Sequence, residues 1–297
     1  LIKPSVFLIW RTYFVATTVF SSLENYQVNA SPATEKEYPW IARVVHSSTD
    51  DIPYACTAIC ISKRIFITAA RCVYSLKVMY TTVIYLSKRF PALAFVVPSV
   101  GTKQAFDDIG FIVVEITEFP GTWHTIELMD FVNRTDNNFD WFADMDVDGF
   151  IEYKVVGYAT EKGIHRLKSP YRQFNLTDLD VTSDINLCIQ IMTFHEQIRG
   201  FRVPCYHSCT LQEFKSDDEK CKSYHGVEGG AVFDLKTKKL IGVATWGAYF
   251  RKYELPVGFS VVNSENFYKD YTCARRIRDD SGLLVTAGYF QSLCDAQ

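Results

Sequence analysis

Short runs in which alternate residues are apolar, each closed off by turn-forming residues, recur along most of this 297-residue chain. They cover residues 40–46, 55–69, 78–86, 93–97, 109–116, 153–158, 231–234, 240–246 and 257–262. A period of two sends successive side chains to opposite faces, so each run reads as a strand with one face turned to a core. Many short strands in succession imply a barrel or a sandwich. The 22 Phe and 17 Tyr, with many Val, Ile and Thr, favour strands and exclude a helix bundle or coiled coil. Helical signal is confined to residues 183–199, with Ser183 as N-cap and Gly200 as stop, and to a short segment from about Ser264 to Tyr271. Between residues 120 and 150 the rhythm lapses into Asp, Asn and aromatics, which reads as a linker between two β units. No internal repeat is visible.

Charge and cysteine usage bound the setting. Lys and Arg number 31 against 34 Asp and Glu, a formal net charge of -3, so no basic field exists to hold a phosphate backbone and nucleic acid is excluded as a partner. Two apolar runs, 6–10 and 12–20, flank Arg11; neither spans a bilayer. Lys3 and Arg11, then apolar residues, then Ser21-Ser22 fit a secretory signal over residues 1–22, the alternative being a buried N-terminal strand. Residues 23–37 follow as an N-terminal lead. Nine cysteines suit an oxidising compartment, and an odd count leaves one thiol over, expected to be Cys60. Asn29, Asn133 and Asn175 open glycosylation sequons, the first weakened by Pro32 behind it. The expectation is a secreted, extracellular protein with no membrane span.

Several motifs then appear in a telling order. Tyr38-Pro39-Trp40-Ile41 is followed by Cys56-Thr57-Ala58-Ile59, by Phe66-Ile67-Thr68-Ala69-Ala70-Arg71-Cys72 and by Asp107-Asp108-Ile109-Gly110-Phe111. Gly226-Val227-Glu228-Gly229-Gly230 and Leu240-Ile241-Gly242-Val243-Ala244-Thr245-Trp246-Gly247 come later. In this order and at these intervals they resemble the chymotrypsin-like (trypsin-like) serine proteases over residues 38–272. The resemblance implies an all-β fold of two packed antiparallel six-stranded β-barrels, joined near residues 120–150, with a C-terminal helix. It leaves residues 273–297 as a C-terminal extension. It also implies a Cys56–Cys72 disulfide and a second from Cys188 to Cys205 or Cys209. Cys221 departs from the pattern, because the cysteine that should face it after Trp246-Gly247 is missing. A Cys273–Cys294 bridge would tie the extension down.

The residues at the matched positions cannot run the family's chemistry. A working triad needs a hydroxyl nucleophile, a near-neutral imidazole base and a buried carboxylate. The three positions read Arg71, Asp108 and Glu228. Arginine stays protonated and offers no acceptor lone pair, so Arg71 is no general base. A Glu228 carboxylate would repel the oxyanion that the amides of the loop Gly226, Val227 and Glu228 should stabilise. Loss of nucleophile or base alone costs about a million-fold in triad enzymes. The activation switch is gone as well: Val227 stands where an aspartate pairs with the freed amine, and Leu23 to Asn29 offers no basic cleavage site or Gly pair.

These readings imply a secreted, catalytically inactive serine protease homologue that binds or regulates extracellular proteins, by resemblance proteases, zymogens or inhibitors. The cleft lip Thr245, Trp246 and Gly247 would hold an extended peptide by strand addition. The alternative is an active endopeptidase whose triad lies at unmatched positions. The substitutions also suggest an Asp108-Arg71-Glu228 ion network, or, more simply, Arg71 on Asp108 with Glu228 in solvent. No metal or cofactor is expected. Asp144-Met145-Asp146-Val147-Asp148-Gly149 opens like a calcium loop, but Val155 replaces the bidentate glutamate. Cys205, His207, Cys209, Cys221 and His225 are zinc-ligand types whose sulfurs disulfides claim first. His225 as a replacement base has no nucleophile to serve. A glycosidase pair of Asp108 and Glu228 fails because Arg71 lowers the pKa a general acid needs raised.

Overall fold

The computed structural model describes residues 30–46, 54–74, 76–98, 108–116, 121–129, 152–161, 175–182, 205–206, 224–225, 228–250, 253–262, 264–280 and 294. Six strands close a first barrel: β2 (Ile41–His46), β3 (Tyr54–Ser62), β4 (Ile65–Ala69), β5 (Thr81–Tyr85), β6 (Lys88–Val96) and β7 (Ile109–Val114). Their order around the barrel is β2-β3-β4-β7-β6-β5. The second half is a sheet of eight strands, with β1 (Ala30–Pro32), β8 (Glu152–Glu161), β9 (Asn175–Thr182), β10 (Cys205–Tyr206), β11 (Tyr224–His225), β12 (Ala231–Asp234), β13 (Leu240–Phe250) and β14 (Tyr253–Val261). It runs β1-β9-β8-β12-β13-β14-β10, with β11 beside β8, and every ladder between these strands is antiparallel. A C-terminal helix follows. The chain thus adopts the expected mostly-β trypsin-like architecture; among the described residues the second sheet is open.

Burial patterns show where the barrel meets the rest. β5 and β6 alternate buried and partly exposed residues, as strands with an outer face in solvent should. β4 and β7 are buried on both faces. Their inward residues, Phe66, Ile112 and Val114, fill the barrel with Ala58, Cys60, Val83, Tyr85 and Phe90. Their outward residues, Ile65, Ile67, Phe111 and Val113, join a second cluster with Val156, Phe233, Val243 and Ile277. That shared cluster welds the halves together.

Trp123 completes the barrel core, stacking on Tyr85 at a centroid distance of 5.5 Å. The Tyr85 hydroxyl accepts from the His124 amide at 2.8 Å and donates to the His124 carbonyl at 3.0 Å. Beyond it, Ile126 N donates to Cys60 O and Met129 N to Leu240 O. Residues 121–129 therefore carry the chain from the barrel to the second sheet. Residues 131–150, including the calcium-like loop, lie outside the described residues, as does the helix expected over 183–199.

Four sequence expectations differ from the structure. The run 55–69 is two strands, because Lys63-Arg64 makes a turn in which Arg64 takes φ 64°. The run 78–86 holds a 3-10 turn at Val78–Tyr80 before β5, and β6 begins at Lys88 rather than Leu93. Leu86 and Ser87, both with positive φ, make a two-residue hairpin turn without the glycine or asparagine that usually marks one. Finally, the C-terminal helix, α2 here, does not stop at Tyr271 but spans Glu265–Asp280. Ser264 caps it, its Oγ accepting from Phe267 N at 3.0 Å. Phe267, Ala274 and Ile277 continue one buried face past the expected stop.

Candidate functional site

β4 leads directly into a single helical turn, α1 (Ala70–Tyr74), which carries Arg71. Cys72 on that turn is bonded to Cys56 on β3, with Cα atoms 6.1 Å apart, so the turn is clamped to the barrel wall. β7 lies beside β4 in the register Ala69↔Ile109, which puts Asp108 at the same barrel end as Arg71. Gly110 is required here: a Cβ would stand 2.9 Å from Val73 Cγ2 and 3.1 Å from Ala70 Cα.

Arg71 and Asp108 form the centre of the site. The Asp108 carbonyl accepts from Ala70 N at 3.0 Å, Oδ1 accepts from Arg71 N at 3.0 Å, and Oδ2 accepts from Arg71 Nε at 2.5 Å. Asp108 N donates to Ser260 Oγ on β14 at 3.2 Å, so the acid also ties the barrel to the second sheet. The Asp108 side chain is 3% exposed and that of Arg71 45%. Burial pushes the Asp108 carboxyl above its ordinary value, and the guanidinium charge and hydrogen bonds oppose the rise without cancelling it, so the net lowering expected from the sequence is corrected: desolvation outweighs Arg71.

Glu228 sits where the halves meet. Its carbonyl accepts from Thr57 N on β3 at 3.0 Å, while the next amide, Gly229 N, donates to Ala244 O on β13 at 2.7 Å. Thr57 is the hub of this seam: its carbonyl accepts from Thr68 Oγ1 at 2.6 Å and its Oγ1 accepts from Tyr158 N at 2.8 Å. Gly229 has φ +82°, and a Cβ there would fall 2.0 Å from Thr57 O. No other residue fits.

The expected three-residue ion network is only half formed. Among the described residues Glu228 makes no ion pair with Arg71; the pair is Arg71 with Asp108 alone. Asp108 already takes Nε and the backbone amide of Arg71. Glu228 is partly exposed, so water can solvate its carboxylate and nothing forces it onto the guanidinium. Gly226 and Val227 lie outside the described residues.

The remaining positions are placed as follows. Thr245 is fully buried on β13; Trp246 pairs with Gly258 and Gly247 with Val257 on β14, with bulges on either side. Cys273 and Cys294 are bonded, and Cys60 is a buried thiol. Cys205 lies opposite Gly258 on β10, while Cys188, Cys209 and Cys221 fall outside the described residues. Asn175 opens β9 exposed to solvent; Asn29 and Asn133 are not among the described residues. Among those residues no three His, Cys, Asp or Glu side chains converge as a metal site, and no helix is long and apolar enough to cross a membrane.

Sequence reasoning missed Ser260, Thr57 and a buried group at the N-terminal lead. There Tyr38 donates to Asp178, which also pairs with Lys154 Nζ at 2.7 Å. Burial, then Asp178, pushes the Tyr38 phenol up to about 12. Tyr158 donates to Glu35 at 3.1 Å, fixing the lead a second time. Only the motif Tyr38-Pro39-Trp40 signalled this region, and it gave no hint of Asp178.

Comparison with known proteins agrees with the fold. Residues 27–138 match the Trypsin family model. Two solved structures of scabies mite inactivated protease paralogues, S-D1 and S-I1, are each 17% identical to the chain. The first covers 86% of this chain and 98% of its own, with TM-score 0.55. The second covers 82% and 96%, with TM-score 0.54. The Vibrio cholerae VesB protease is 17% identical with TM-score 0.53 over 82% of this chain, which spans 65% of that protein's length. Identities this low establish the shared fold. No curated protein sequence matches significantly.

Proposed function

We propose that this chain, which has the trypsin fold and carries the family match over residues 27–138, is a secreted, non-catalytic protease homologue that works by binding extracellular proteins. The observation that carries the reading is the bond from Arg71 Nε to Asp108 Oδ2 at 2.5 Å. A triad base must receive a proton on the side facing the nucleophile while its other nitrogen donates to the buried acid. Arg71 makes the second contact and cannot perform the first, because guanidinium holds its proton at every accessible pH. Glu228, at the matched nucleophile position, brings a carboxylate where a neutral hydroxyl is needed. Two neighbours in fold are described as inactivated protease paralogues, which supports the same conclusion.

Secretion is supported by the signal-like residues 1–22, by the Cys56–Cys72 and Cys273–Cys294 bridges and by exposed Asn175 within a sequon. The partners that suit the scaffold are proteases, zymogens or inhibitors, held as an extended segment along Thr245, Trp246 and Gly247. Fold likeness supplies that class of partner by analogy. The test is a pull-down from native extracellular fluid alongside a broad peptide substrate panel. Stoichiometric capture of a protein with no substrate cleaved is expected; turnover of any peptide by purified protein would end the proposal.

A further inference from the structure

The guanidinium of Arg71 has three nitrogens and the structure spends one. Nε donates to Asp108 Oδ2, and the backbone amide holds Oδ1, so the base of the side chain is fixed in position. Among the described residues Nη1 and Nη2 have no hydrogen-bond or ion-pair partner. The carboxylate that could have filled them, Glu228, does not pair with Arg71. The charge pair is also directional: its negative end is 3% exposed and its positive end 45%. The barrel end therefore presents solvent with a pre-positioned donor edge whose countercharge is buried behind it. Tyr74, three residues on in the same helical turn, is 43% exposed, and its hydroxyl donates to Pro98 O at 3.3 Å.

We infer that the Nη1/Nη2 edge of Arg71 is a carboxylate-binding site within the cleft, selecting an acidic group on an extended peptide segment of the partner. This rests on the binding role proposed above and adds the chemistry the partner must carry. A guanidinium edge matches a carboxylate through two parallel N–H···O bonds, which a lysine cannot reproduce. Asp108 holds the side chain in place before the partner arrives, so little rotamer entropy is lost on binding. The carboxylate is either an Asp or Glu side chain or a chain terminus.

The test uses the full chain and an array of N-acetylated octapeptides in three sets. One carries Asp or Glu at each internal position with an amidated C-terminus, one carries Asn or Gln instead, and one has a free C-terminal carboxylate and no other acid. The native chain is expected to favour one acidic set about tenfold over the neutral set, the worth of a charge-assisted pair. Which acidic set wins identifies the source of the carboxylate. The variant Arg71→Met/Asp108→Asn removes both charges together and leaves no buried acid unpaired, so it is expected to fold and to lose the preference. Equal binding of acidic and neutral sets overturns the inference while leaving a binding cleft in place. An acid preference that survives in the double variant overturns it too. If the native chain captures no peptide, the inference falls, and the pull-down alone then decides the broader binding role.

Discussion

Replacing Arg71 by methionine strands a carboxylate. Asp108 is 3% exposed, and its Oδ2 would lose a 2.5 Å charge-assisted bond, while Oδ1 keeps the backbone amide of residue 71. Breaking a fully buried pair by removing one partner costs roughly 3–5 kcal/mol. Here the guanidinium is 45% exposed, so water already screens part of the attraction, and the surviving amide bond offsets some of the loss. We expect a destabilisation of about 2 kcal/mol at pH 7. The pH dependence has a definite sign. Burial already holds the Asp108 carboxyl above its ordinary 3.8, and loss of the opposing guanidinium moves it higher. A carboxyl whose folded pKa is raised favours folding when protonated, so the cost is full at neutral pH and fades as acid carries the solution down through that raised value. Adding Asp108→Asn removes the stranded charge and should recover most of the loss. Urea unfolding of the four chains of this cycle, at pH 7 and again near pH 5, measures all of it. A loss below about 0.5 kcal/mol, the level of an exposed pair, or one that does not shrink in acid, would refute the reasoning.

Gly229→Ala meets Thr57 O at 2.0 Å and needs φ +82°, so the variant should lose at least about 3 kcal/mol or fail to fold; a thermal midpoint near that of the native chain would contradict the seam described here. The Cys60 thiol is buried and pushed up to about 12, first by desolvation, so it should resist iodoacetamide at pH 8 in the native chain and react on denaturation, as peptide mass mapping can read. Arg71→His with Glu228→Ser should restore little peptidase activity, because Val227 still leaves the loop without an anchoring ion pair; turnover within tenfold of a working protease would show that only two side chains had been lost.

Legibility in the sequence followed the physics of each element. The barrel strands were readable because their inward positions are apolar, and Arg71 and Asp108 because they stand in motifs fixed by a disulfide and by the edge of a buried strand. β9 was missed because one of its buried residues is Asp178, satisfied by Tyr38 and Lys154 from distant parts of the chain. No local pattern records that pairing. β1, β10 and β11 are two or three residues long and owe their existence to the strands they join. The sequence pattern places the helix end at Tyr271 because Arg275 and Arg276 interrupt the buried face between Ala274 and Ile277. Charge complementarity suggested that Glu228 would close on Arg71, and it misled because a solvated carboxylate gains little from an exposed pair.

The proposed non-catalytic role requires that no proton-abstracting pair operate on this scaffold. Intact-mass spectrometry of the native chain after incubation with a fluorophosphonate reads that directly. The predicted spectrum shows no adduct, and one stoichiometric adduct that vanishes when the chain is heat-denatured first would contradict the claim.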